Sequence, residues 1–209
     1  MRMVKYTHAC VRFEKDAVLV VDPGCWSEPE ALSQVSAILV THEHNDHVDE
    51  RLVAEAVAAN PELRIFGPGQ ALAPLAGLGA RVTPVETGES FEAAGFRIRA
   101  FGGRHADVWD GRPGVANLGY LIEDAVYVPG DSLEPPGVEV ETLFVPLQAS
   151  WMKLAEAIAF ARAVAPRRAH PIHDGQMHDR GHGSADHWLT RESGADYSRQ
   201  PIGVAFGLS

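Results

Sequence analysis

The sequence predicts an α/β protein in which two β-sheets pack face to face with helices on the outside. Three observations lead there. Short strand-like runs dominate the first forty residues, a βα alternation closes each half of the chain, and the run AVLVVD at 17–22 is echoed by AVYVPGD at 125–131, a sign of internal duplication. With 209 residues, 45% apolar and 22% charged, the chain is sized for one well-filled core, and a single domain over 1–209 is expected.

The elements follow in order. Residues 4–7, 11–13 and 17–21 read as strands, the last ending in the turn chemistry of Asp22-Pro23-Gly24. The run 37–40 is a strand buried on both faces. Asp49 caps a helix over 50–60, with Leu52, Val53, Ala56 and Val57 on one face and Pro61 as its stop. Residues 64–66 form a short strand, 70–78 a helix in spite of Pro74, and 96–101 (FRIRAF) a strand of period two. Residues 118–123 and 125–128 make a hairpin and 143–145 another strand. Residues 152–165 give the best helix, carrying Leu154, Ile158, Ala161 and Val164 on one stripe and ending at Pro166. A strand over 168–172, a glycine-rich loop over 174–183 and a C-terminal helix around His187 and Trp188 complete the chain.

Composition removes several function classes. No segment approaches the ~20 apolar residues of a membrane helix. The net charge of −10 and a pI near 5.4 make the chain a poor host for a polyanion, since counterion release needs clustered Lys and Arg. The densest basic groupings, Arg167-Arg168 and the alternating Arg97 and Arg99, read as solvated faces. Nucleic acid is therefore not expected as a partner; a small-molecule substrate is. Nothing at the N-terminus reads as a secretory signal, and Cys10 and Cys25 fit reduced thiols, so the cytosol is the expected compartment.

The chemistry concentrates in Thr41-His42-Glu43-His44-Asn45-Asp46-His47-Val48-Asp49, the loop between a buried strand and the next helix. The pattern H-x-H-x-D-H is expected by chance on the order of once per several hundred chains of this histidine content. In an extended segment residues i and i+2 point the same way, so His42 and His44 can share one metal, while Asp46 and His47 face a second. A catalytic zinc takes three protein ligands and leaves a position for water, so one loop cannot complete two such shells. The missing ligands are sought at other strand ends. His105 follows the alternating strand, Asp131 lies in Pro129-Gly130-Asp131-Ser132, and His173 closes Pro171-Ile172-His173-Asp174. Of the other histidines, His8 is read as a core residue or an outer partner of the centre. His170 is read as packing or an outer partner, His178 and His182 as pocket-mouth or solvated residues, and His187 as structural. Trp26 and Trp151, each in a loop after a strand, are read as pocket walls or buried anchors.

This pattern resembles the metallo-β-lactamase fold hydrolases, whose signature is HxHxDH followed by a lone His, an Asp within GD(S/T) and a late His. The chain looks most like the branch containing ascorbate-6-phosphate lactonase and the phospholipase D acting on N-acyl phosphatidylethanolamines, through Thr7-His8-Ala9 and Val21-Asp22-Pro23, with Thr7 in place of the usual Gly. The resemblance implies an αββα four-layer sandwich of two mixed β-sheets with a dinuclear centre. His42, His44 and His105 would hold one ion; Asp46, His47 and His173 the other; Asp131 would bridge. The ions are expected to be zinc, with manganese or iron as alternatives. Two ions ~3.5 to 4 Å apart lower the pKa of a bridging water toward ~7, so a metal-bridging hydroxide would cleave a small lactone, ester or phosphodiester. Asp46 would also orient that hydroxide, and no GxSxG elbow is present or needed. The competing readings are an iron oxygenase or oxidoreductase on the same scaffold and a catalytically silent metal-binding module.

Overall fold

The computed structural model describes residues 1–109 and 114–207. Strands β1 (Arg2–Lys5), β2 (Val11–Glu14) and β3 (Val18–Val21) form an antiparallel meander. From β3 the sheet continues in parallel through β4 (Ala37–Leu39), β5 (Arg64–Gly67) and β6 (Val82–Pro84). The second sheet repeats the plan. Strands β7 (Ser90–Ala93), β8 (Phe96–Gly102), β9 (Leu118–Ile122) and β10 (Val126–Val128) are antiparallel. Then β11 (Thr142–Pro146), β12 (Arg168–Ile172) and β13 (Asp196–Tyr197) run parallel. The last strand, β14 (Ala205–Gly207), returns to pair with β1, so among the described residues each sheet has seven strands.

The echo between 17–22 and 125–131 has a structural counterpart. Both β3 and β10 are the strands at which antiparallel pairing gives way to parallel pairing.

Helix α1 (Glu50–Ala59) links β4 to β5, α2 (Gly69–Leu72) follows β5, α3 (Leu154–Val164) links β11 to β12, and α4 (Asp179–Glu192) links β12 to β13. Side-chain alternation along the strands sorts the core into three layers. Phe13, Leu19, Val21 and Leu39 of the first sheet meet Phe96, Ile98, Tyr120 and Phe144 of the second between the sheets. The opposite face of the first sheet, with Val20, Ile38 and Ile65, packs on Val53 and Ala56 of α1 and Leu72 of α2. The opposite face of the second, with Leu143, Val145 and Ala169, packs on Ala157, Phe160 and Ala161 of α3 and Leu189 of α4. The result is the four-layer sandwich of two mixed sheets that the sequence predicts.

Two elements differ from expectation. The helix expected over 70–78 is one turn of α2 followed by a 3-10 stretch, Ala73–Arg81, because Pro74 lacks a donor and Gly79 turns the chain at φ 62°. The loop expected over 174–183 stops at His178, whose Nδ1 accepts from the backbone N–H of Arg180 at 3.1 Å and caps α4. Strands β6, β7, β13 and β14 were outside the sequence expectation: β13 has two residues and β6 and β14 three each, too short for a period to register.

Candidate metal centre

Five strands deliver the centre, each at its C-terminal end. Strand β1 leads to His8, β4 to the motif loop, β8 to His105, β10 to Asp131 and β12 to His173. The loop approaches its neighbours closely. Gly24 lies flat on the backbone of the motif loop, where a Cβ would stand 1.8 Å from the Asp46 carbonyl oxygen. Gly130 has φ +63°, and a Cβ there would meet Asn117 Oδ1 at 2.4 Å and Thr41 Cβ at 2.6 Å. Only glycine permits both that turn and that contact, and the contact brings Asp131 against the motif. Asn117 then fixes the turn: its Nδ2 donates to the Pro129 carbonyl at 2.9 Å and its Oδ1 accepts from the Asp131 N–H at 3.0 Å.

All seven residues singled out in the sequence converge. One group of ligand-type atoms, from His42, His44, His105 and Asp131, lies mutually within 4.8 Å, and so does a second from His8, Asp46, His47 and His173. Asp131 reaches both groups: its Oδ2 is 3.2 Å from His105 Nε2 and 3.0 Å from His173 Nε2, and its Oδ1 is 3.2 Å from His47 Nε2. These are close approaches without hydrogen bonds. His47 Nε2, His105 Nε2, His173 Nε2 and Asp131 Oδ1 are all buried with no hydrogen-bond partner. Orphaned buried donors and acceptors are costly, and imidazole nitrogens grouped with a carboxylate at this spacing suit a divalent cation. The residues present therefore fit the metal ions that the sequence implies.

The far nitrogens of the rings are tied down, which settles which nitrogen faces the centre. Asp22, fully buried, accepts from the Thr41 N–H at 2.8 Å, from the Thr41 hydroxyl at 2.7 Å and from His47 Nδ1 at 2.7 Å. Since the Thr41 hydroxyl gives its one proton to Asp22, it can only accept from His42 Nδ1, 3.0 Å away. His105 Nδ1 donates to the Ala106 carbonyl at 2.6 Å, and His173 Nδ1 to the Gln148 carbonyl at 2.5 Å. In His42, His47, His105 and His173 it is thus the Nε2 atom that faces the cluster, the outer arrangement that orients metal-ligating histidines.

His8 differs. Its Nδ1 accepts from the Gly175 N–H at 3.2 Å, so its proton sits on Nε2 and is donated to Asp46 Oδ2, 3.2 Å away. It holds Asp46 rather than competing for a cation. Thr7 binds the Glu28 carboxylate through its N–H at 2.9 Å and its hydroxyl at 2.5 Å.

Electrostatics agree with this division. Burial, then the neighbouring His47, push His42 well below the usual imidazole range, and burial together with His105 lowers His44. Burial opposes protonation of His47, but Asp131 and Asp22, one on each nitrogen, outweigh it and raise its pKa well above the ordinary value. Burial would raise Asp46, yet the His8 hydrogen bond and nearby imidazoles bring it down to about 2.

Asp22 and Asn117 are the functional residues that the sequence reading missed. For Asp22 a signal existed, since it ends β3 as Asp131 follows β10, and the two carboxylates take opposite nitrogens of His47. Asn117 carries no pattern at all. Of the other histidines, His170 is packing: its ring lies against Phe144 and Phe206, and Nδ1 faces the Ser198 carbonyl at 2.8 Å. His182 Nε2 faces the Asp174 carbonyl at 3.1 Å, and His187 packs beside Trp188. Trp151 lies against His105 and His173, and Trp26 against His8.

Residues 2–173 match the model of the Beta-lactamase superfamily domain. The chain is 36% identical over 180 residues to protein Rv0786c of Mycobacterium tuberculosis, covering 83% of this chain and 84% of that one. It is 30% identical over 186 residues to the UPF0173 protein PF0020 of Pyrococcus furiosus, covering 84% of each. Its fold superposes with TM-score 0.76 and 21% identity on a Parabacteroides distasonis protein described as a metal-dependent hydrolase, covering 96% of this chain and 92% of that one. The chain belongs to the metallo-β-lactamase superfamily, in its UPF0173 metal-dependent hydrolase family.

Proposed function

We propose that this metal-dependent hydrolase holds two divalent ions, zinc first among them, and uses a metal-bridging hydroxide to cleave a small lactone, ester or phosphodiester. The observation that carries the reading is the set of orphaned atoms, His47 Nε2, His105 Nε2, His173 Nε2 and Asp131 Oδ1, buried around two four-residue groups. His42, His44 and His105 would hold one ion, Asp46, His47 and His173 the other, and Asp131 both. Once bound, the ions supply an activated water nucleophile and polarise the oxygens of the group attacked. The chain's own residues do the rest. Asp22, Thr41 and the Ala106 and Gln148 carbonyls fix the histidine rings, so little reorganisation accompanies reaction. Asp46, ionised to low pH and held through one oxygen by His8, keeps its other oxygen for the centre and for orienting water.

The likeness to the lactonase and phospholipase D branch, carried by His8-Ala9 and Val21-Asp22-Pro23, favours an ester-type substrate. Cys10 and Cys25 are free thiols, which supports a cytosolic setting. Among the described residues no helix is long and apolar enough to cross a membrane. The test is elemental analysis paired with turnover of bis(p-nitrophenyl) phosphate, a panel of esters and lactones, and oxygen uptake. Asp131→Asn and His42→Ala are expected to reduce turnover by at least about a thousandfold, the scale of losing a group essential to the transition state. Unchanged turnover at matched metal content would refute the mechanism, and one iron per chain with oxygen consumption would favour the oxygenase reading.

A further inference from the structure

Resting on the hydrolase reading above, we propose that the cleft selects uncharged carboxylic esters or lactones bearing an apolar acyl group, and that Trp151 is the surface on which that group packs. The cleft over the centre has a volume of about 490 Å³, room for one small organic molecule. Apart from the candidate ligands its lining is Val108, Gln148, Ala149, Ser150, Trp151 and Gln176. These are apolar groups and neutral hydrogen-bonding groups. Among the described residues that line it, the carboxylates are Asp46 and Asp131 and no Lys or Arg is present.

A phosphate-bearing substrate would therefore find no side-chain cation among these described lining residues and would have only the metal ions to meet its charge, whereas a neutral ester needs no such partner. An apolar acyl group finds a shelf already in place. The Trp151 ring stands edge-on to His105 and His173, at centroid distances of 5.4 and 6.1 Å. Two rings of the centre thus fix its position before substrate arrives, and such preorganisation favours binding. Val108, 51% exposed, adds a second apolar surface. Gln148, Ser150 and Gln176 supply neutral partners for ester or lactone oxygens. In the reaction water gives its oxygen to the acyl carbon and the acyl C–O bond breaks. The alcohol oxygen leaves with one proton from that water, yielding acid and alcohol, or a hydroxy acid from a lactone.

The test uses the metal-loaded protein on p-nitrophenyl acetate, butanoate and hexanoate beside bis(p-nitrophenyl) phosphate, with wild type, Trp151→Ala, Trp151→Phe and the remote Trp188→Ala. In wild type, kcat/KM is expected to rise about tenfold or more from acetate to hexanoate, the scale of a few methylenes in an apolar pocket, and to exceed that for the phosphodiester. Trp151→Ala should flatten the series to within about twofold, through KM for hexanoate. Trp151→Phe should restore most of the slope, and Trp188→Ala should leave it intact. A slope that survives in Trp151→Ala, a phosphodiester preferred over hexanoate, or no ester turnover at full metal content would overturn the proposal. The metal reading is scored separately, by whether Asp131→Asn loses bound metal, so the two can fail independently.

Discussion

At the residue scale the arrangement turns on Asp22. One buried carboxylate receives the Thr41 N–H, the Thr41 hydroxyl and His47 Nδ1, and through the hydroxyl it also settles the tautomer of His42. Asp22→Asn keeps the shape but loses the charge and one acceptor, and it is expected to weaken metal binding by about 10- to 100-fold. Competition with a chelator of known affinity measures this; unaltered affinity would show that Asp22 serves folding alone. The pH dependence has two opposed parts. In the metal-free protein His47 and His105 have raised pKa values, so their contribution to stability is fully present below the unfolded value near 6.5 and fades as pH rises through the folded values. Asp46, depressed to about 2 by its partners, contributes above about 3.8 and is lost as pH falls through that lower value. A cation must displace protons from His47 and His105, so binding should release protons and tighten as pH rises from 6 to 8. Calorimetry in buffers of different ionisation enthalpy measures that release.

At the element scale, a strand end, a tight turn and a capped helix hold each ligand. Asp49 Oδ1 accepts from the backbone N–H groups of Arg51 at 2.9 Å and Leu52 at 3.0 Å, which starts α1 immediately after His47. Asp49→Ala should cost about 1 kcal/mol, read as a lowered urea midpoint with an unchanged m-value. This helix was legible because its cap, its apolar stripe and Pro61 all agree. The motif loop was legible because it sits between a buried strand and that cap. The helix expected over 70–78 failed where one residue overruled the periodicity: Pro74 cannot donate, and the chain tightened into 3-10 turns. The cap by His178 was illegible, since histidine is an uncommon N-cap and the glycines behind it read as loop.

At the scale of the whole molecule, the centre lies where the two sheets meet. The Tyr120 hydroxyl, fully buried on the second sheet, donates at 2.8 Å to the Val40 carbonyl of the first, directly beneath the motif. The His173 N–H likewise donates to the His8 carbonyl at 3.1 Å, joining the ends of β12 and β1. Beyond β12, Asp174 is held by Lys5 at 3.2 Å and by Arg199, so strand ends and C-terminal segment are clasped by buried charge. Tyr120→Phe leaves the Val40 carbonyl without this donor and should cost about 1 to 3 kcal/mol, read by thermal or urea unfolding. The two-sheet plan was readable from the echo between AVLVVD and AVYVPGD and from strand ends tipped with His or Asp. Contacts across the sheets carry no sequence period, so Tyr120 and Asn117 emerged only once the chain was folded. The claim on which the account stands is that seven side chains from both sheets enclose a pair of cations. Anomalous scattering from crystals equilibrated with zinc tests it most directly. Two peaks are expected, one among His42, His44 and His105, the other among Asp46, His47 and His173, with Asp131 touching both; a single peak, or none, would contradict it.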